Sequence, residues 1–327
     1  MGKMRAARLV EIGKVECEQV PVRPPGEGEV VVRTEMAAIC GSDLHVIFAG
    51  VTAAPFPQLP GYPGHEGVGT VVESRSPLHQ AGARVLTCPS PDFACGFAEV
   101  QVLPGDQCIP LPSYAGPVEH LLMAQQFGTA IFALRQHPVD VVGKTVLVMG
   151  QGSAGNFFAY MLKRYGAAKV IVSDQSEARL DVARDFGADV AVKADAGSVK
   201  QAVLDHTGGR GADYVVEAVG SRDALLQTVE LARVGATVLL FGLPDTAAPV
   251  PFNFHDFFRR KITAYSTYGT QHEEGRVSFR LALDLIASEA INVKRLVSHR
   301  LPIEQIDRAL HLAHERTDNA LKVALTF

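Results

Sequence analysis

The stretch AICGSDLH (residues 38–45) sets a thiol, a hydroxyl, a carboxylate and an imidazole between Cys40 and His45. Downstream, PGHEGVG (63–69) adds His65 and Glu66. Thiolate, imidazole and carboxylate all bind Zn²⁺, and a catalytic zinc keeps one position open for water or substrate. Cys40, His65 and Glu66 therefore qualify as ligands of a catalytic metal. Their spacing alone is not specific. A lone cysteine also serves as a small buried hydrophobe, and AICGSDLH also reads as a polar turn after a strand. On these residues by themselves both readings stand.

A second stretch, GQGSAG, fits the glycine-rich turn that binds a dinucleotide. Gly150 permits the tight turn, Gly152 lets a pyrophosphate approach the backbone, and Gly155 lets the following helix pack against the strand. Ser153 and Ala154 open that helix, whose N-terminal N–H groups face phosphate. The context strengthens the motif. An apolar strand precedes it, a helix follows, and a second strand ends in Asp174, 19 residues beyond Gly155. Asp174 is placed to accept hydrogen bonds from both ribose hydroxyls. A 2′-phosphate there would face a carboxylate, so NAD(H) is expected over NADP(H). Arg179 is the nearby cation that could soften this preference.

The elements that must carry these residues fall into two textures. Up to about residue 118 the chain shows short β-type runs punctuated by Pro and Gly: EVVVRTEMA (29–37), GVGTVVES (67–74), ARVLTC (83–88) and FAEVQVL (97–103). Such spacing predicts a twisted barrel or sandwich. From about 120, strands alternate with helices, from TVLVM (145–149) to a last strand TVLLFG (237–242). That alternation predicts a doubly wound parallel sheet with right-handed crossovers. The fold class is thus α/β, a β-rich domain plus a parallel nucleotide-binding sheet. After about 265 comes an amphipathic helix, a second short helix and a terminal strand, LKVALTF. This tail is expected to return to the first domain. The assignment is 1–122 with 265–327 for the first domain and 123–264 for the second. The exposed edge of the parallel sheet is expected within TVLLFGLPDTAAPVPF (237–252).

Composition bounds the function. The 327 residues are 47% hydrophobic and 20% charged, with a net charge of −4, which suits two ordinary globular domains. Nothing points to nucleic acid or an anionic membrane surface. The N-terminal residues lack the apolar run of a signal peptide, and no apolar stretch reaches transmembrane length. Five scattered cysteines argue against a disulfide framework and for a reducing cytoplasm.

In order along the chain, AICGSDLH, GHEGVGTVVE, GQGSAG with Asp174, GADYVVEAVG and LKVALTF resemble the zinc-dependent medium-chain alcohol/polyol dehydrogenase family. Within it, the likeness is to the sorbitol, threonine and glucose dehydrogenase type, and it spans essentially the whole chain. The resemblance implies a GroES-like catalytic domain and a Rossmann domain, with zinc and nicotinamide in the cleft between them. Carried over by motif, Cys40 and His65 are zinc ligands. Glu66 matches a carboxylate that is a ligand in some members and a neighbour in others. Ser42 matches the hydroxyl that touches the substrate alcohol, His45 the outer end of a proton relay, and Asp43 the carboxylate that orients the zinc-binding histidine. Lys322 stands where the family often has a basic residue near the cofactor pyrophosphate or Glu66.

Two departures bear on the metal. Matching MAQQFGTAIFAL (123–134) to the family places Gln125 at the next zinc position, where Cys, Asp or Glu is usual. Glucose dehydrogenases of the family resemble this chain there. The segment that holds four cysteines in members with a structural zinc keeps only Cys88 and Cys95, so one catalytic zinc and no structural zinc are expected. The implied activity is reversible hydride transfer between NAD and a secondary alcohol, polyol or sugar-like substrate. Phe48, Phe93, Phe127 and the run Tyr268, Gly269, Thr270, Gln271 and His272 are candidates for the substrate pocket. Gly41 stands beside Cys40 where some ethanol-type members have a cation. Two other readings compete. One is a zinc-free quinone or enoyl reductase of the same superfamily, against which the Cys…Gly-His-Glu set argues. The other is a catalytically silent nucleotide-binding protein, against which Ser42 and His45 argue. Relatives of this type imply a homodimer or homotetramer.

Overall fold

The computed structural model describes residues 2–50, 55–195 and 197–327. Two compact units divide them: Met1–Gly128 with Thr270–Phe327, and Thr129–Gly269.

The first unit opens with an antiparallel hairpin, β1 (Lys3–Glu11) and β2 (Lys14–Pro21). There follow β3 (Glu29–Ala38), α1 (Gly41–Ala49), β4 (Glu66–Ser74), β5 (Arg84–Thr87), β6 (Val100–Pro104), β7 (Cys108–Pro110), α2 (Val118–Leu122) and the start of α3 (Ala124–Arg135), which runs on into the second unit from Thr129. Valine-rich β3 is buried along most of its length and is the hub, pairing antiparallel with β4 and, farther back, with β6. Val30, Val32, Val71, Val85 and Leu103 close a β core beneath it. Full burial of each such side chain contributes about 1.5–3 kcal/mol before entropy is counted.

The second unit repeats strand and helix: β8 (Thr145–Met149), α4 (Ser153–Arg164), β9 (Lys169–Asp174), α5 (Glu177–Asp185), β10 (Val190–Lys193), α6 (Ser198–Thr207), β11 (Ala212–Glu217), α7 (Arg222–Leu231), β12 (Ala232–Leu240), α8 (Phe254–Arg259) and β13 (Thr263–Ser266). All six strands are parallel, in the order β10-β9-β8-β11-β12-β13. The order reverses direction between β8 and β11, the position where such sheets bind nucleotides beyond their carboxyl ends.

The chain then returns to the first unit with α9 (Val277–Ala287), β14 (Val297–Pro302), α10 (Ile306–Glu315) and β15 (Lys322–Thr326). β15 joins the first sheet between β14 and β3, parallel to one and antiparallel to the other. α1 and α10 cover a second core around Ile47, Phe97, Leu310 and Leu325. Among the described residues no helix is long and apolar enough to cross a membrane.

Three local readings are corrected. AICGSDLH is neither strand nor turn beyond Cys40, because α1 begins at Gly41. FAEVQVL is a ladder strand only from Val100. Phe97 instead bonds Gly61 and Ala7 through its backbone and sinks its ring, wholly buried, into the core. Finally, TVLLFG is not the last strand and 237–252 does not hold the edge: β12 is interior, and β13 lies outside it. β13 is four residues long with only Tyr265 half-buried, so it carries no apolar run to betray it.

Candidate active site

Strand register brings distant residues to one end of the first sheet. Ala38, at the end of β3, pairs with Glu66 at the start of β4, and with Ala324 just inside β15. Cys40 follows that end of β3, His65 precedes β4, and Lys322 opens β15. One sheet end thus collects residues from three parts of the chain.

The helix start supplies the next layer of order. Cys40 is the N-cap of α1 in an extended conformation. Its N–H donates to Asp43 Oδ2 at 2.8 Å, the backward half of a capping box. Gly50 ends the helix in the left-handed conformation that glycine tolerates. The other oxygen of Asp43, Oδ1, lies 2.9 Å from His65 Nδ1. Nδ1 is also 3.2 Å from the Pro63 carbonyl. One carboxylate, 1% exposed, therefore sets the positions of both Cys40 and His65. Ser42 Oγ stands 3.5 Å from His65 Nε2. Ser42 and His45, three apart on α1, share a helix face and are half-buried.

The ligand atoms of Cys40, His65 and Glu66 all lie within 4.8 Å of one another, the single cluster of this kind among the described residues. Glu66 also holds Lys322: Nζ is 2.8 and 3.1 Å from its two carboxylate oxygens and 3.2 Å from the Ile39 carbonyl. Glu66 is 1% exposed and Lys322 2%. Burial disfavours the Lys322 ammonium, but the Glu66 and Cys40 charges offset this and raise its pKa. At His65 burial likewise opposes charge, and the Asp43 carboxylate and Cys40 outweigh it, holding the imidazole pKa well above the ordinary value. Cys40, Asp43 and Glu66 thus bring three acidic groups to one pocket beside His65 and Lys322. A mixed sulfur, nitrogen and oxygen donor set suits zinc.

Gln125 is 1% exposed, and its Nε2 has no hydrogen-bond partner among the described residues. Its neighbour Gln126, not singled out from the sequence, places Nε2 4.0 Å from Cys40 Sγ. Only the adjacency of two amides in MAQQFG could have signalled it. The aromatic pocket candidates are committed elsewhere. Phe127 is wholly buried, Phe48 stacks on His314 with ring centroids 4.1 Å apart, and Phe93 packs on the β core. Tyr268 is 81% exposed and Thr270 buried. Cys88 and Cys108 are buried; burial pushes Cys108 up to about 12 and half-buried Cys95 up to about 11.

In the second unit GQGSAG joins β8 to α4. Gly150 has φ +86°, open to glycine at low cost. A Cβ at Gly155 would collide with the Gly150 carbonyl, whereas one at Gly152 would meet nothing within 4 Å. The outer side of the turn is thus clear for a phosphate, with Ser153 and Ala154 opening the 12-residue α4 behind it. Asp174, at the carboxyl end of β9, accepts from Gln151 N–H at 2.7 Å and from Ser176 N–H at 2.9 Å. Arg179 lies in the first turn of α5 and is 8% exposed.

Comparison with known proteins agrees with both halves. Residues 26–113 match the alcohol dehydrogenase GroES-like domain, and residues 154–288 match the zinc-binding dehydrogenase domain. An L-threonine 3-dehydrogenase of Xanthomonas axonopodis pv. citri is 28% identical over 341 residues, 95% of each chain. An alcohol dehydrogenase from Thermus sp. ATN1 superposes with a TM-score of 0.81 at 28% identity, covering 99% of both chains. L-idonate 5-dehydrogenase from Escherichia coli, 23% identical, shares the fold with a TM-score of 0.83 over 99% of this chain and 98% of that one. The chain belongs to the zinc-binding medium-chain alcohol dehydrogenase family. It is a zinc-type oxidoreductase that acts on CH–OH groups with a nicotinamide dinucleotide.

The Glu66–Lys322 pair yields a direct test. Removing one partner of a buried pair costs about 3–5 kcal/mol. Lys322→Met should lower the unfolding free energy in urea by that amount, and adding Glu66→Gln should recover part of it. A Lys322→Met protein as stable as the parent would show that the pair is not matched in solution.

Proposed function

We propose that the protein reversibly oxidises secondary alcohols, with polyols and sugar-like molecules as the substrate class, using NAD(H) and a single catalytic zinc per chain. The observation that carries this is the Asp43 carboxylate, which joins the Cys40 N–H to the His65 ring. Such a carboxylate fixes the orientation and tautomer of a metal-binding histidine. Cys40 and His65 would hold the zinc, and Glu66 or the buried amide of Gln125 would complete the shell. When bound, zinc supplies Lewis acidity to an alcohol oxygen, and nicotinamide accepts the hydride.

The chain's own residues do the rest. Ser42, beside His65 Nε2, hydrogen-bonds the substrate hydroxyl and relays its proton, giving up its own as it accepts the substrate's. His45, on the same face of α1, passes that proton outward, a task suited to an imidazole near neutral pH. Gly41 adds no side chain next to Cys40, and a Cβ there would meet nothing within 4 Å, which favours a substrate broader than a simple primary alcohol. The likeness to an L-threonine 3-dehydrogenase leans the same way. Asp174 supports NAD(H), since its carboxylate ends β9 where a 2′-phosphate would have to sit. We place the enzyme in the cytoplasm as a homo-oligomer. The outer strand β13 and the exposed Phe254 and Phe258 on α8 support association.

With NAD⁺ and added zinc, a panel of polyols, sugars, amino alcohols and secondary alcohols should contain a substrate; turnover of none removes this reading. Chelation should abolish turnover and leave NADH binding intact, and metal analysis finding two zinc ions per chain would contradict the single site. NADH should bind more tightly than NADPH. Ser42→Ala should lower kcat by roughly 10²-fold with zinc content unchanged. His45→Ala should lower the rate modestly and remove an inflection from its pH profile.

A further inference from the structure

The phosphate-facing turn contains two polar side chains that the motif does not require. Gln151 and Asn156 are both fully buried, one inside GQGSAG and one immediately after it. Gln151 Nε2 donates to the carbonyls of Val148 at 3.1 Å and Gly150 at 3.0 Å. Asn156 Nδ2 donates to the carbonyls of Gln151 at 3.2 Å and Gly152 at 2.9 Å. Three consecutive carbonyls, from Gly150 to Gly152, are therefore bonded by two side-chain amides, and that of Gly152 also accepts the Asn156 backbone N–H at 3.1 Å. In a trans peptide each N–H points opposite its carbonyl. The N–H groups of Gly152 and Ser153 therefore point away from these two amides, and a Cβ at Gly152 would meet nothing within 4 Å. The remaining N–H of the turn, on Gln151, is held by Asp174.

Both amides carry a cost. Gln151 Oε1 and Asn156 Oδ1 are buried with no hydrogen-bond partner among the described residues. A buried acceptor left unpaired destabilises a fold. The same two amides offset this by donating to the carbonyls of Val148, Gly150, Gln151 and Gly152, and in doing so they fix the orientation of the turn.

We propose that Gln151 and Asn156 are positioning residues for the cofactor pyrophosphate: they hold the turn's carbonyls inward so that its N–H groups face the phosphates. This rests on the reading of GQGSAG as the dinucleotide site and adds to it two side chains outside the glycine pattern. Neither touches the cofactor in this account, and both act through the backbone.

The test compares Asn156→Leu and Gln151→Met with the parent enzyme, using NADH, ADP-ribose and adenosine as probes. Each variant should bind NADH and ADP-ribose about tenfold more weakly, the loss expected when hydrogen bonds that orient the turn are removed. Adenosine, which has no phosphate, should keep its inhibition constant to within about twofold. The split between the phosphate-bearing probes and adenosine is what a merely structural role, which would weaken all three alike, would not produce. Unchanged NADH affinity in both variants overturns the proposal, as does an equal loss for adenosine and NADH. If Asn156→Leu does not fold, Gln151→Met carries the same comparison. A parent enzyme that binds neither NADH nor NADPH would instead overturn the nucleotide reading, and this assignment with it.

Discussion

The structure turns on charge removed from water at one end of one sheet. Asp43, Glu66 and Lys322 are each at most 2% exposed, and His65 stands among them. An ion buried without a partner costs several kcal/mol, so these groups persist only while each faces its complement. That requirement reaches far along the chain. Lys322 meets Glu66 only if β15 pairs with β3 in the observed register. A slip of one residue would send its side chain to the opposite face. Asp43 meets both His65 and the Cys40 N–H only if α1 starts at Gly41. The terminal strand, the first helix and two central strands are thus conditions of one another.

The two units prepare for their ligands by different means. In the first, side chains from separate parts of the chain are gathered at one sheet end, and the donors on Cys40, His65 and Glu66 suit a borderline-soft metal. In the second, no cationic side chain of GQGSAG faces the phosphates. The backbone does the work, through a glycine at positive φ, a helix N-terminus and carbonyls tied inward. Charge pairing can be assembled from distant residues, whereas backbone orientation must be built locally.

That difference explains what could be read in advance. GQGSAG was legible because its requirements are local: strand, tight turn, helix and an acid at the end of the next strand all lie between Thr145 and Asp174. The alternation of strand and helix was legible from periodicity. β13 was not, because four residues at a sheet's edge need no apolar pattern. The start of α1 was obscured because Cys40 is an unusual cap, marked only by Asp43 three residues on, which makes the backward bond of a capping box to the Cys40 N–H. Phe48 and Phe127 looked available for a substrate, yet packing against His314 and within the core uses them.

The sequence by itself determined the class of each domain, the metal-ligating residue types, the dinucleotide motif and the family, since these depend on residue identity and short-range spacing. Tertiary structure alone decided that one carboxylate, Asp43, serves both Cys40 and His65. It alone decided that Lys322 lies against Glu66, that Gln126 approaches the thiol, and that the buried amides of Gln151 and Asn156 bond the carbonyls of Gly150, Gln151 and Gly152. The physical reason is that sheet register and helix phase set these contacts. Residues 40, 65 and 322 come to one sheet end only when three strand ends coincide, and no spacing along the chain encodes that coincidence.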